Sequence, residues 1–220
     1  MEKTTELWNI LCELVEERVP RNGLYCTPIT GGLDSRVLAG IMKKLGRNIR
    51  LSYWIREPRN AINEIHIQKI RELVVPEYFY IVHVQKLPDD FTKAIVDLSM
   101  VHPIGMYSFV MALHMDVYTG MFKTKKKERE YFYKTWHRMH TNDYLGFKEI
   151  LLPFESTRLV GYLMSLPRTD RLFQKIYMKM IQEYLPEYAK IPRCFEKGTG
   201  RPVPIEEYYR YLLERGVQAW

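Results

Sequence analysis

An α/β fold, with a parallel sheet flanked by helices and a helical C-terminal half, is the class the sequence predicts, and three observations carry it. Apolar runs of strand length alternate with amphipathic stretches of helix length from residue 24 to residue 84. A turn at Gly31 and Gly32 joins the first run directly to the stretch behind it. Beyond residue 120 the alternation stops, and the chain reads as helices and loops. Strand and helix alternating at this spacing imply right-handed crossovers, hence a parallel sheet covered by helices.

The elements follow in order. Leu7, Ile10, Leu11, Leu14, Val15 and Val19 recur at three- and four-residue steps, the mark of an amphipathic opening helix ended by Pro20 and Gly23. Residues 24–29 read as a short buried strand, and residues 35–45 as a helix closed by Gly46, whose freedom at positive φ suits the position after a helix. The pattern repeats with a strand at 49–55, a helix at 60–73 and a strand at 78–84. After Leu87-Pro88-Asp89-Asp90 the character changes, with helical stretches at 90–100 and 106–114 and room for one short strand at 117–119. Residues 1–120 are therefore expected to form the α/β region, and residues 121–220 a helical region that completes the same domain.

Composition bounds the class further. A chain of 220 residues, 46% of them apolar, has the material for a sizeable core. Its formal charge of +7 favours anionic ligands such as nucleotides, because a positive field concentrates anions. Much of the excess lies among Lys123, Lys125, Lys126, Lys127 and Arg129, interrupted by acids in the manner of a solvated face. Cys12, Cys26 and Cys194 are odd in number and widely spaced, which suggests neither a disulfide framework nor a zinc site and suits a reducing, cytoplasmic setting. The first residues lack the order of a secretory leader, and no stretch approaches the roughly 18 unbroken apolar residues that span a bilayer, so no membrane association is expected. Tyr131, Phe132, Tyr133 and Trp136 beside basic residues suit stacking on nucleic-acid bases, but at helical spacing they better fit a core or a contact in a homo-oligomer. His137 and His140 stand at a spacing seen in metal sites, without a third ligand.

Chemistry concentrates in Thr30-Gly31-Gly32-Leu33-Asp34-Ser35. Gly31 and Gly32 can take positive φ and carry no side chains, so successive amides can converge on one phosphate group. The helix behind them points its N-terminus to the same place, adding partial positive charge and unpaired donors. Thr30 and Ser35 bring hydroxyls, and Asp34 brings a hard oxygen able to hold Mg²⁺ against the phosphates. Arg36 either adds charge to the site or faces solvent. A plain tight turn with Asp34 or Ser35 capping the helix would use the same residue types; the apolar strand before it and the helix after it favour phosphate. The glycine spacing differs from that of a Walker loop, and no Lys-Ser or Lys-Thr follows.

This turn resembles the pyrophosphate loop of the N-type ATP pyrophosphatases, or PP-loop family, which cleave ATP between the α and β phosphates. Within that family Gly31-Gly32-Leu33-Asp34-Ser35-Arg36 looks most like the synthetase domain of asparagine synthetase and its relatives. The likeness continues in order along the chain: residues 49–53 followed by Asn63-Glu64, then Glu149-Ile150-Leu151-Leu152-Pro153-Phe154-Glu155-Ser156, Ser165-Leu166-Pro167, a helix at 173–184, Arg193, and Lys197-Gly198-Thr199-Gly200. The resemblance implies an adenine nucleotide alpha hydrolase-like fold, with ATP and Mg²⁺ as cofactors. It also implies adenylation of a small carboxylate such as aspartate, with release of AMP and pyrophosphate, for amide formation with ammonia. By position, it assigns Thr30, Gly31, Gly32, Asp34, Ser35, Arg36, Tyr53, Thr119 and Gly120 to the nucleotide, Asp34 to magnesium, and Asp34, Glu149 and Lys197 to the chemistry.

The chain also departs from the family. A second loop in those domains carries acids after small residues; here Thr119-Gly120 is followed by Met121-Phe122-Lys123-Thr124, none of which offers a carboxylate. Leu151 stands where Arg is usual and Ser156 where Asp is usual, and there is neither an N-terminal cysteine nucleophile nor room for a glutaminase domain. Ammonia would then be free or supplied by a separate protein. The departures suit two other readings: a nucleotide-binding paralogue acting as a subunit or regulator, and a tRNA-modifying PP-loop ATPase, the latter drawing only on the net charge.

Overall fold

The computed structural model describes residues 2–30, 32–55, 61–83, 99–101, 149–171, 174–192, 194–195 and 202–203. Helix α1 (Lys3–Arg18) leads into strand β1 (Leu24–Pro28), followed by α2 (Leu33–Lys44), β2 (Asn48–Ile55), α3 (Ala61–Val74) and β3 (Tyr78–His83). Strands β4 (Ser99–Val101) and β5 (Glu149–Leu151) come next. The C-terminal half then continues through α4 (Thr157–Ser165), α5 (Arg168–Arg171), α6 (Lys175–Tyr184) and α7 (Pro186–Ala189), with a small pair of strands, β6 (Cys194–Phe195) and β7 (Pro202–Val203).

The sheet has five strands in the order β3-β2-β1-β4-β5, and each pairing is parallel. The α/β class, the flanking helices and the helical C-terminal half are as the sequence predicts. Two strands of the sheet correct the detail, and the β6–β7 pair likewise lies where only helices and loops were expected. Residues 99 and 100, read as the end of a helix, belong to β4, and β5 arises where only helices and loops were expected. Both are three residues long, and a run that short shows no period by which strand can be told from helix. The expected stretches at 106–114 and 117–119, and the change near residue 120, lie outside the described residues.

Apolar burial explains why α1 sits where it does. Leu7, Leu11 and Val15, spaced by four, are fully buried, and Trp8 stacks on Tyr184 of α6 with ring centroids 4.9 Å apart. Helix α7 packs on α2 and α3. The approach to α2 is close because position 40 is glycine: a Cβ there would lie 2.9 Å from Leu185 Cδ2 and 3.4 Å from Tyr188 Cζ. Arg47, buried behind α2, donates from Nε to Val19 O at 2.7 Å and from Nη1 to Leu45 O at 2.8 Å, closing the C-terminal ends of α1 and α2 together.

Two helices end in a left-handed residue. Gly46 closes α2 at φ 64°, as its sequence position suggests, whereas Val75 closes α3 at φ 52°. A β-branched residue is strained there, and with Val75 74% exposed little packing offsets that strain. Replacing Val75 with Gly should therefore raise the unfolding free energy by about 1 kcal/mol, the usual cost of that conformation for an L side chain. Urea denaturation of Val75→Gly beside the parent chain checks it; an unchanged or lower midpoint would contradict the assigned strain.

Candidate phosphate-binding site

Strand order fixes where a ligand can enter. From β1 the chain steps outward to β2 and β3, then returns to place β4 on the other side of β1. The strand order therefore reverses between β1 and β4, and in open parallel sheets the carboxyl ends of two such strands are where ligands bind. The segment from Thr30 to Ser35 is the connection that leaves β1 at this point. It is held beside β2, since Ile29 N–H donates to Ser52 O at 2.7 Å and carries the ladder past the end of β1.

The loop is organised by its hydroxyls. Thr30 N–H donates to Ser35 Oγ at 3.1 Å, Ser35 Oγ lies 3.2 Å from both Thr30 Oγ1 and Thr30 O, and Gly32 N–H donates to Thr30 Oγ1 at 3.2 Å. Gly32 is the N-cap of α2 and supplies no side-chain acceptor to the first turn. Its φ is −73°, within reach of any residue, so the expectation that Gly32 serves through positive φ is corrected. The hydrogen matters there for space, because a Cβ would sit 3.1 Å from Thr30 Oγ1. Asp34 lies half-buried in the first turn of α2, where the helix field favours an anionic group.

Arg36 does not face solvent. It is fully buried, and its guanidinium donates from Nε to Gly32 O at 3.2 Å, from Nη1 to Tyr188 O at 3.2 Å and to Ile191 O, and from Nη2 to Pro192 O at 3.2 Å. Through these main-chain carbonyls Arg36 joins the loop to the segment behind α7.

The other expected residues divide. Ser52 pairs with Pro28, so the backbone of Tyr53 comes level with Ile29, directly beside the entry to the loop. Glu149 is brought to the other end. It pairs with Ser99, and Ser99 with Tyr25, which puts the backbone of Glu149 five positions before Thr30 along the strand direction. At about 3.3 Å per residue that separates the two backbones by roughly 16 Å along the strand direction. Gly31, Thr119, Gly120 and Lys197 lie outside the described residues. No group of three or more His, Cys, Asp or Glu able to hold a metal occurs among the described residues, and Asp34 is the carboxylate that the described part of the loop itself provides. Burial pushes the thiols of Cys12 and Cys26 up to about 12 and about 11, which removes both as thiolate nucleophiles.

Sequence reading passed over His66, on α3. It is buried, and burial together with the positive charges of Arg36 and Lys69 lowers its pKa from 6.5 to about 4. A lone histidine in an otherwise amphipathic helix gives no sign of this, because burial, the largest cause, comes from tertiary packing.

No protein-family model matches the chain, and neither does any curated protein. Among solved structures, a similar one is the NH3-dependent NAD synthetase from Campylobacter jejuni subsp. jejuni NCTC 11168 in complex with the nitrate ion. It is 14% identical, with 98% of this chain and 96% of that chain covered and a TM-score of 0.33. So loose an overlap decides nothing about activity, which rests on the geometry of the chain itself. No helix among the described residues is long and apolar enough to cross a membrane.

His66 makes the α2–α3 contact sensitive to acid. Its folded pKa lies below the unfolded value, so the unfolded chain takes up the proton first, and stability present above pH 6.5 is lost as pH falls toward 4. A difference of this size corresponds to about 3 kcal/mol. Denaturant titrations at pH 7 and pH 4 should show the stability gap between the parent and His66→Gln narrowing by about that amount; a gap independent of pH would rule it out.

Proposed function

We propose that the chain is a PP-loop ATP-binding protein resembling the synthetase domain of asparagine synthetase, which activates a small carboxylate by adenylation for amide formation. The observation that carries this reading is the position of the Thr30–Ser35 loop: at the carboxyl end of the central strand, at the reversal of strand order, opening a helix whose N-cap supplies no side-chain acceptor. Main-chain donors at such a point suit a diphosphate, and the hydroxyls of Thr30 and Ser35 can turn to donate to its oxygens. ATP would supply the adenylyl group and the pyrophosphate. Asp34 would hold Mg²⁺ beside that pyrophosphate, and the backbone at Tyr53 would border the nucleotide. Lys197 stays in the proposal by resemblance alone, near the phosphates or the activated carboxyl group. A separate ammonia-supplying protein and self-association are compatible with it, and a cytoplasmic setting suits ATP and free thiols.

A second reading is nucleotide binding without turnover, as a subunit or regulator. Met121 and Thr124 favour it, standing where the family places carboxylates that serve magnesium and the acceptor. Incubation with ATP, Mg²⁺, aspartate and ammonia separates the two. Release of AMP and pyrophosphate is expected, falling on the order of a hundredfold in Asp34→Ala, as when one preorganised electrostatic contact is lost. ATP binding by calorimetry with no release of AMP supports the second reading instead.

Gly32→Ala tests the loop apart from the chemistry. The φ of Gly32 is open to alanine, so the fold should hold, while the added Cβ 3.1 Å from Thr30 Oγ1 crowds the ligand-binding hydroxyl. Pyrophosphate affinity should drop about tenfold, a loss of roughly 1.4 kcal/mol. Equal affinity in the variant would place the anion elsewhere.

A further inference from the structure

Arg36 is a fully buried charge whose donors reach two parts of the chain far apart in sequence. Nε holds the carbonyl of Gly32 in the phosphate loop, while Nη1 and Nη2 hold the carbonyls of Tyr188, Ile191 and Pro192. An apolar side chain of similar volume would fill this space without desolvating a charge. What the arginine supplies beyond volume is direction: a planar, rigid fork that fixes four carbonyl oxygens relative to one another.

The consequence at the loop follows from peptide geometry. In a trans peptide the carbonyl and the following N–H point to opposite sides. Holding the oxygen of Gly32 toward Arg36 therefore aims the N–H of Leu33, the first amide of α2, away from the helix body and toward the loop. The same fork ends on residues 188–192, which Gly40, one helical turn beyond Arg36 on the same face of α2, lets come close. A tilt of the Gly32–Leu33 peptide on binding an anion turns the guanidinium plane, and the carbonyls of residues 188, 191 and 192 lie at its other edge.

Resting on the phosphate-site reading above, we infer that Arg36 is a positioning residue that couples the loop to residues 188–192, making that segment part of the phosphate site. It contacts no ligand itself. Occupancy of the loop then steadies the C-terminal segment, and by reciprocity the segment's docking strengthens anion binding.

Hydrogen exchange on the full chain, with and without inorganic pyrophosphate and Mg²⁺, tests this. The amides of Ala189, Lys190 and Ile191, which donate to Leu185, Pro186 and Tyr188 carbonyls, are the reporters. In the parent chain pyrophosphate should slow exchange both at residues 30–36 and at these reporters, the latter on the order of tenfold. In Arg36→Lys, which keeps the charge but loses the fork, protection at residues 30–36 should persist while protection at the reporters is lost. Arg36→Met repeats the test without the charge, and thermal unfolding of both variants confirms that they are folded. Protection at the reporters that survives in a folded variant overturns the coupling, as does a parent chain protected at the loop alone. Absence of protection at both segments in the parent overturns the phosphate reading itself, and the coupling with it.

Discussion

A helix that starts directly behind a strand leaves its first amides without partners inside the helix, and that constraint organises the Thr30–Ser35 end of this molecule. Most helices meet it with a side chain at the N-cap. At α2 the N-cap is Gly32, which has none to offer, and the hydroxyls nearby belong to Thr30 and Ser35. The strand order then sets this helix start at the reversal between β1 and β4. Helix field and main-chain donors coincide there because α2 follows the strand at which the strand order reverses.

Burial around that point is arranged to keep α2 fixed. One face of α2 carries Arg36 and Gly40, spaced by four, and both meet the chain around α7: the arginine through carbonyls, the glycine by letting Leu185 and Tyr188 come close. Burial first, and then the same charge, lower the pKa of His66 on α3. The start of α2 is therefore braced from behind by residues that are themselves buried, as a binding loop built on a rigid element requires.

How far all this was legible in the sequence depends on the range of the interaction responsible. The opening helix, the strand–loop–helix around residue 30 and the cap at Gly46 were legible because local rules decide them: apolar spacing, turn chemistry and positive φ. β4 and β5 were not, since a three-residue strand exists only through its neighbours. Glu149 shows the limit for the site. Its resemblance to a family motif says which segment it belongs to, whereas its distance from the loop follows from two pairings, with Ser99 and through it with Tyr25. Arg36 shows the same limit at closer range. Nothing in Ser35-Arg36-Val37 announces that carbonyls more than 150 residues later will take up its donors.

The loop's own hydroxyls raise a final question, because Ser35 Oγ and Thr30 Oγ1 already accept from the amides of Thr30 and Gly32. Bond strengths answer it. Both are neutral contacts at 3.1 to 3.2 Å, at the long end of the usual range. An amide donating to a phosphate oxygen makes a charge-assisted bond that is shorter and roughly twice as strong. A hydroxyl displaced from an amide is not left unsatisfied either, since it can rotate and donate its own proton to the incoming oxygen. Exchange thus replaces weak contacts with stronger ones, the proton that Ser35 Oγ now gives to Thr30 O being redirected to the ligand. The Thr30–Ser35 pair closes the loop on itself and holds the amides of Thr30 and Gly32 only through long, neutral contacts, which an anion can replace.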